Sequence, residues 1–151
     1  MPNKKISKKF NYSLDLIKTL ILNVDDYHNF LPWCSYSKIK SKDENENEII
    51  MIADLEIGYS FAKDTYTSHI IYNKQDRTIN VTAIDGPLKS LENKWKLVDI
   101  GNGKCEVNFY ISLQLKNFLL NKMLSSMFEI GFNKILKSFE ERAEYLYNLN
   151  R

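Results

Sequence analysis

The last quarter of the chain, Asn117 to Leu149, reads as one long helix with no proline in it, and it dictates what the rest must build. Its first half is apolar nearly all the way round: Phe118, Leu119, Leu120, Met123, Leu124, Met127, Phe128, Ile130 and Phe132. A helix of that kind normally needs partners on every side. Its second half narrows to a single stripe of Ile135, Leu136, Phe139, Ala143 and Leu146. The segments before it read as strands with only one apolar face to offer. The helix is therefore expected to lie across a curved sheet. The surplus apolar surface of its N-terminal half then requires a further partner: a ligand, a membrane or a second protein.

The preceding chain supplies such a sheet. Ile6 to Tyr12 suits a short strand. Ser13 is a good N-cap, with Asp15 in the first turn, and Leu14, Ile17, Leu20, Ile21 and Val24 follow helical spacing. A second short helix is predicted to end near Phe30, because Pro32 follows and disfavours helix just before it. Strands are predicted over Ser35–Lys42, Ile49–Tyr59, Phe61–Tyr72, Thr78–Ile84, Leu91–Ile100 and Cys105–Leu115, separated by turn residues such as Asp85-Gly86-Pro87 and Gly101-Asn102-Gly103. In the last strand Cys105, Val107, Phe109, Ile111, Leu113 and Leu115 alternate with Glu106, Asn108, Ser112 and Gln114, the mark of one covered and one wet face. The order is strand, two helices, about six antiparallel strands joined by short turns, and one long helix. That is an α+β chain of the helix-grip kind, a single domain over residues 1–151.

Composition narrows the function. The net charge of +2 drives no general attraction to nucleic acid. Arg77, Arg142 and Arg151 are the only arginines, poor equipment for reading bases, so DNA is not an expected partner. Cys34 and Cys105 form neither a disulfide framework nor a metal motif, which fits a reducing, cytoplasmic setting. No apolar run is long enough for a membrane span. A catalytic site would need a motif, and none is present: no Gly-rich phosphate loop, nucleophile elbow or HExxH, and His28 and His69 have no ligand spacing. No catalytic or metal residues are expected.

Val24-Asp25-Asp26-Tyr27 followed by Phe30-Leu31-Pro32-Trp33-Cys34-Ser35 resembles the segment after the first helix in the coenzyme Q-binding START-domain family. That family is also described as polyketide cyclase/dehydrase-like and includes a bacterial ribosome association toxin. Asp85-Gly86-Pro87-Leu88 with Trp95, then Phe139-Glu140, Arg142-Ala143 and Leu146-Tyr147, continue the resemblance in order over almost the whole chain. Tyr12 stands where the family has an aromatic before its first helix. Leu88 stands where an aromatic is usual. The resemblance implies a START-like fold with a cavity between sheet and long helix. It implies non-catalytic binding of ubiquinone or a similar isoprenoid lipid in support of respiration, with ubiquinone as ligand and no other cofactor. It also implies an alternative, association with the large ribosomal subunit. A location at the inner membrane of a bacterium, by transient surface contact, is compatible with the lipid role.

Several residues carry two readings each. Phe30, Leu31, Trp33, Leu88, Phe109, Met123, Met127 and Phe128 are the expected cavity liners, although plain core packing explains Trp33 and the methionines as well. Asp25 and Asp26 form either a carboxylate pair or a helix terminus and turn. Cys34 is either a reactive thiol or a small buried apolar group. Asp85-Gly86-Pro87 is either a gating loop or a turn. Gly131, mid-helix at a cost of about 1 kcal/mol, points to a close approach by the sheet or a ligand. Lys116, Lys122, Lys134 and Lys137 are either a solvated face or a contact with an anionic bilayer or with ribosomal phosphates.

Overall fold

The computed structural model describes residues 3–59 and 62–149. The chain runs β1 (Asn3–Phe10), α1 (Leu14–Leu22), a 3-10 helix (Val24–Asn29), β2 (Cys34–Glu44), β3 (Glu48–Tyr59), β4 (Ala62–Asn73), β5 (Thr78–Asp85), β6 (Leu88–Gly101), β7 (Lys104–Leu115) and α2 (Phe118–Leu149). The predicted order holds. Several strands run further than expected, β2 by two residues into the acidic turn and β6 by three residues towards Pro87. The predicted start of β4, Phe61, lies outside the described residues.

The seven strands make one antiparallel sheet in the order β1-β7-β6-β5-β4-β3-β2. Six form a meander, and the first strand returns to pair with the last, Asn3 opposite Ser112 and Phe10 opposite Cys105. Strand alternation puts Met51, Ala53, Leu55, Ile70, Tyr72, Ile79, Trp95, Leu97, Val107 and Phe109 on the inner face, and all of them are buried. Ser13 caps α1 as its sequence predicts, its Oγ accepting from Leu16 N at 3.1 Å. Ile17, Leu20 and Ile21 of α1 cover one end of this face.

α2 lies along the same side and is held in two ways. Lys4 and Lys8 of β1 pair with Glu129 and Glu140 at 2.9 and 3.1 Å. Its C-terminal half buries Leu136, Phe139 and Ala143 in the core. Phe139 touches three rings at once, Tyr27 at 5.6 Å, Phe30 at 5.4 Å and Trp95 at 5.2 Å. That is the anchoring stripe expected for this half of the helix.

Candidate functional site

The register of β5, β6 and β7 sorts the inner face into rows. Ile79, Trp95 and Phe109 form one row across the three strands, and all three are buried. α2 roofs it: Trp95 stacks edge-on to Phe139, and Phe109 meets Phe132 at 5.2 Å. One step towards the start of α2 comes the row Val81, Asn93 and Ile111, then Leu91 opposite Leu113. These residues are only half-buried. The apolar floor therefore continues beyond the tight part of the roof, which ends near Phe128 and Phe132, 6.2 Å apart. The polar member of these rows, Asn93, is spent within the sheet: its Nδ2 donates to Tyr110 O at 2.9 Å and its Oδ1 accepts from Trp95 Nε1 at 2.8 Å. A site floored in this way holds a ligand by apolar area and offers little to a polar one.

Two short segments form the rim. Trp33 adopts a left-handed backbone, φ 63°, after Pro32. Its carbonyl accepts from Gly58 N at 3.0 Å, which ties it to the end of β3. Its indole lies against α2, where a Cβ on Gly131 would be 3.5 Å from two ring carbons, and Lys134 Nζ stands 5.8 Å from the ring centre. What lies against Gly131 is thus the indole of Trp33 at ordinary van der Waals distance, not the sheet or a ligand expected from the sequence. On the opposite side, Gly86 has φ 115° and is pressed on β4, with a Cβ placed there only 2.6 Å from Tyr66 Cβ. Pro87 O accepts from Lys116 N at 2.9 Å, and Asn121 Oδ1 accepts from Leu115 N at 3.0 Å, so this loop and the start of α2 are fastened together. Burial pushes the Tyr66 phenol pKa up, with a smaller contribution from Cys34.

Behind the rim sits an ion pair. Asp26 takes two hydrogen bonds from Arg142, Nε at 2.9 Å and Nη2 at 2.8 Å, and a third from Asn29 at 3.0 Å. Burial raises the pKa of the Asp26 carboxyl, but the bonds from Arg142 and Asn29 and the guanidinium charge outweigh it and hold the value below the usual one. Arg142 also lies over Phe30 and Tyr145, at 5.4 and 4.5 Å. Asp25 is not its partner in chemistry, since its Oδ1 accepts from Ile39 N at 2.7 Å. The turn reading of this acidic pair covers Asp25 but misses the bidentate bridge of Asp26.

Of the eight expected liners, Phe109 lies in the floor, Phe128 closes the roof, and Leu88 is buried opposite Leu115. Trp33 is at the rim and Leu31 is half-buried against the core. Phe30 belongs to the ring cluster beneath Arg142. Met123 is 58% exposed, and the side chain of Met127 lies outside the described residues. Cys34 and Cys105 are buried free thiols; burial raises the pKa of both, that of Cys105 to about 11. His28 is exposed with Nδ1 3.1 Å from Ser37 Oγ. Among the described residues, no three His, Cys, Asp or Glu side chains converge on a metal position. Nor is any helix among them long and apolar enough to cross a membrane. A cleft of about 330 Å³ where β5 and β6 part shares Val81, Leu91 and Asn93 with the rows of the floor and adds Thr82, Glu92, Lys94 and Ser112.

Residues 11–140 match the family described as polyketide cyclase / dehydrase and lipid transport. The chain belongs to that family, and its helix-grip fold is START-like. It is similar to the Ribosome association toxin RatA of Rickettsia prowazekii, 31% identical over 128 residues that make up 83% of this chain and 84% of that protein. It is also similar to the mitochondrial Coenzyme Q-binding protein COQ10 of Dictyostelium discoideum, 27% identical over 146 residues, 95% of this chain and 70% of that one. Among solved structures, the Zhui aromatase/cyclase of Streptomyces superposes with a TM-score of 0.77 at 13% identity, covering 95% of this chain and 93% of that one, a likeness of fold alone. These relatives are thus named for binding coenzyme Q or associating with ribosomes, and the fold also houses an aromatase/cyclase.

Proposed function

We propose that this protein is a non-catalytic carrier of a polyprenyl quinone, ubiquinone or a close isoprenoid relative, in support of respiration. The observation that carries the reading is the half-covered apolar floor of Val81, Ile111, Leu91 and Leu113 between the Trp33 rim and the Gly86 loop. An isoprenoid tail is recognised by area, at about 0.8 kcal/mol per buried methylene, and needs no polar motif. The similarity to a coenzyme Q-binding protein over 95% of the chain supports the same ligand class. The test is to extract the purified protein for quinones, read by mass spectrometry, and to titrate emptied protein with ubiquinone. Co-purified quinone or saturable uptake is expected. A clean extract together with no uptake overturns the reading.

A second reading rests on the similarity to a ribosome association toxin. It predicts co-sedimentation with large ribosomal subunits that weakens with salt and depends on Lys134 and Lys137. Under the quinone reading those lysines are dispensable for uptake, and Leu113→Asp, which puts a charge on the floor, abolishes it.

A further inference from the structure

The exposed apolar surface of α2 does not point into the site. At 3.6 residues per turn, Leu119, Met123 and Ile130 fall at i, i+4 and i+11 on one stripe, roughly opposite the stripe of Phe128 and Phe132 that meets the sheet. Their exposure agrees: Leu119 is 70%, Met123 58% and Ile130 61% accessible. A helix that anchors itself through Phe139 and Ala143 has no structural need for these side chains on its far side. Exposed large apolar side chains grouped in this way mark an interaction surface.

The charges around the stripe select the partner. Lys116 and Lys122 flank its beginning, Lys134 and Lys137 its end, and all four are exposed. From Lys116 to Phe128 there is no acidic residue, and the first turn of α2 carries none. The one acid between Lys116 and Lys137, Glu129, is engaged by Lys4 Nζ at 2.9 Å. The positive end of the helix dipole adds to the same sign. An apolar stripe framed by lysines, with no arginine among them, has the make-up of a helix that lies in a bilayer interface. We infer that α2 docks the protein on an anionic phospholipid bilayer through Leu119, Met123 and Ile130, with Lys116, Lys122, Lys134 and Lys137 against the headgroups. Docking there sets the start of α2, and with it the open end of the apolar floor, at the membrane surface. The inference goes beyond the quinone reading and does not depend on it, because an emptied protein docks in the same way.

The experiment is vesicle co-sedimentation of emptied protein, with phosphatidylcholine alone and with phosphatidylcholine mixed with phosphatidylglycerol. Binding to the mixed vesicles is expected, weakening as salt is raised. Removing the charge of Lys116 or Lys122 should weaken it about fivefold each. Leu119→Glu and Met123→Glu should each weaken it about tenfold or more while leaving the melting temperature unchanged. Ile100→Glu, an exposed apolar position far along β6, should leave it unchanged. No binding to the mixed vesicles overturns the inference, as does binding that Leu119→Glu leaves intact. A stable dimer that Leu119→Glu splits, without vesicle binding, also overturns it by assigning the stripe to a second copy. Quinone uptake is read separately in detergent, so loss of one property leaves the other interpretable.

Discussion

Gly131→Ala is expected to stabilise this protein, although the glycine lies under a tryptophan. The backbone at Gly131 is helical, so alanine adopts it without strain and recovers about 1 kcal/mol of helix propensity. The contact decides whether that gain survives. An added Cβ would lie 3.5 Å from two carbons of the Trp33 indole, an ordinary van der Waals distance. The methyl therefore fits against the ring and leaves the Lys134 contact at 5.8 Å in place. For a chain of 151 residues, about 1 kcal/mol raises the melting temperature by roughly 2–4 °C. Gly131→Leu has the opposite sign. Its γ and δ carbons find the indole in their way, and the crowding costs about 1–3 kcal/mol. Thermal denaturation followed by circular dichroism measures both variants, and tryptophan fluorescence reports whether the indole has moved. A loss of more than about 1 kcal/mol in Gly131→Ala refutes the reasoning, because it would mean the ring lies closer to the helix than an added methyl allows.

Three further outcomes follow from the packing. Gly86→Ala forces a Cβ to 2.6 Å from Tyr66 Cβ and 2.7 Å from its Cα at φ 115°, so a loss of about 2–4 kcal/mol is expected from urea midpoints, and a change under about 0.5 kcal/mol would show the loop is not pinned. Phe139→Ala should cost about 3–5 kcal/mol, whereas Phe118→Ala on the same helix, 78% exposed, should change stability by less than about 0.5 kcal/mol; equal losses would contradict the division of α2 into anchor and exposed half. Asp26 has a lowered folded pKa, so its bridge to Arg142 stabilises fully above the unfolded value of about 4 and is lost as pH falls through the folded value. Asp26→Asn should therefore cost about 2 kcal/mol at neutral pH, and the difference from wild type should vanish in acid; parallel pH curves would remove the bridge from the account.

The sheet was legible because its signal is local. Alternation along Cys105–Leu115 and the turn residues at Gly101-Asn102-Gly103 specify strand and hairpin without distant information, and β6 and β7 pair accordingly. The long helix and its anchoring stripe were legible for the same reason. The site was less so, because it is made by residues that meet only in the fold. A row such as Val81, Asn93 and Ile111 has no periodicity of its own. The direction of Met123 depends on which stripe of α2 faces the sheet, and in a stretch apolar all round that is undetermined until Phe132 and Phe139 choose it. The bridge between Asp26 and Arg142 spans 116 positions. One local clue existed: Arg142 falls on the inward stripe with Phe139, Ala143 and Leu146, where a charge requires a partner.

The return of β1 to the far edge of the sheet bears on how the chain reaches this structure. β1 has no hydrogen-bonding neighbour until β7 exists, since Asn3 waits for Ser112 and Phe10 for Cys105. α1, next in line, cannot complete its cover until α2 arrives. During synthesis β1 and α1 are thus left without their partners while the meander from β2 to β7 can pair strand by strand as it emerges. Closure is a late, long-range event in which both ends of the chain are recruited together, and its cost in loop entropy makes for slow folding. The lysines at positions 4, 5, 8 and 9 of that waiting strand then serve a second purpose: they discourage an unpaired edge from pairing with another nascent chain.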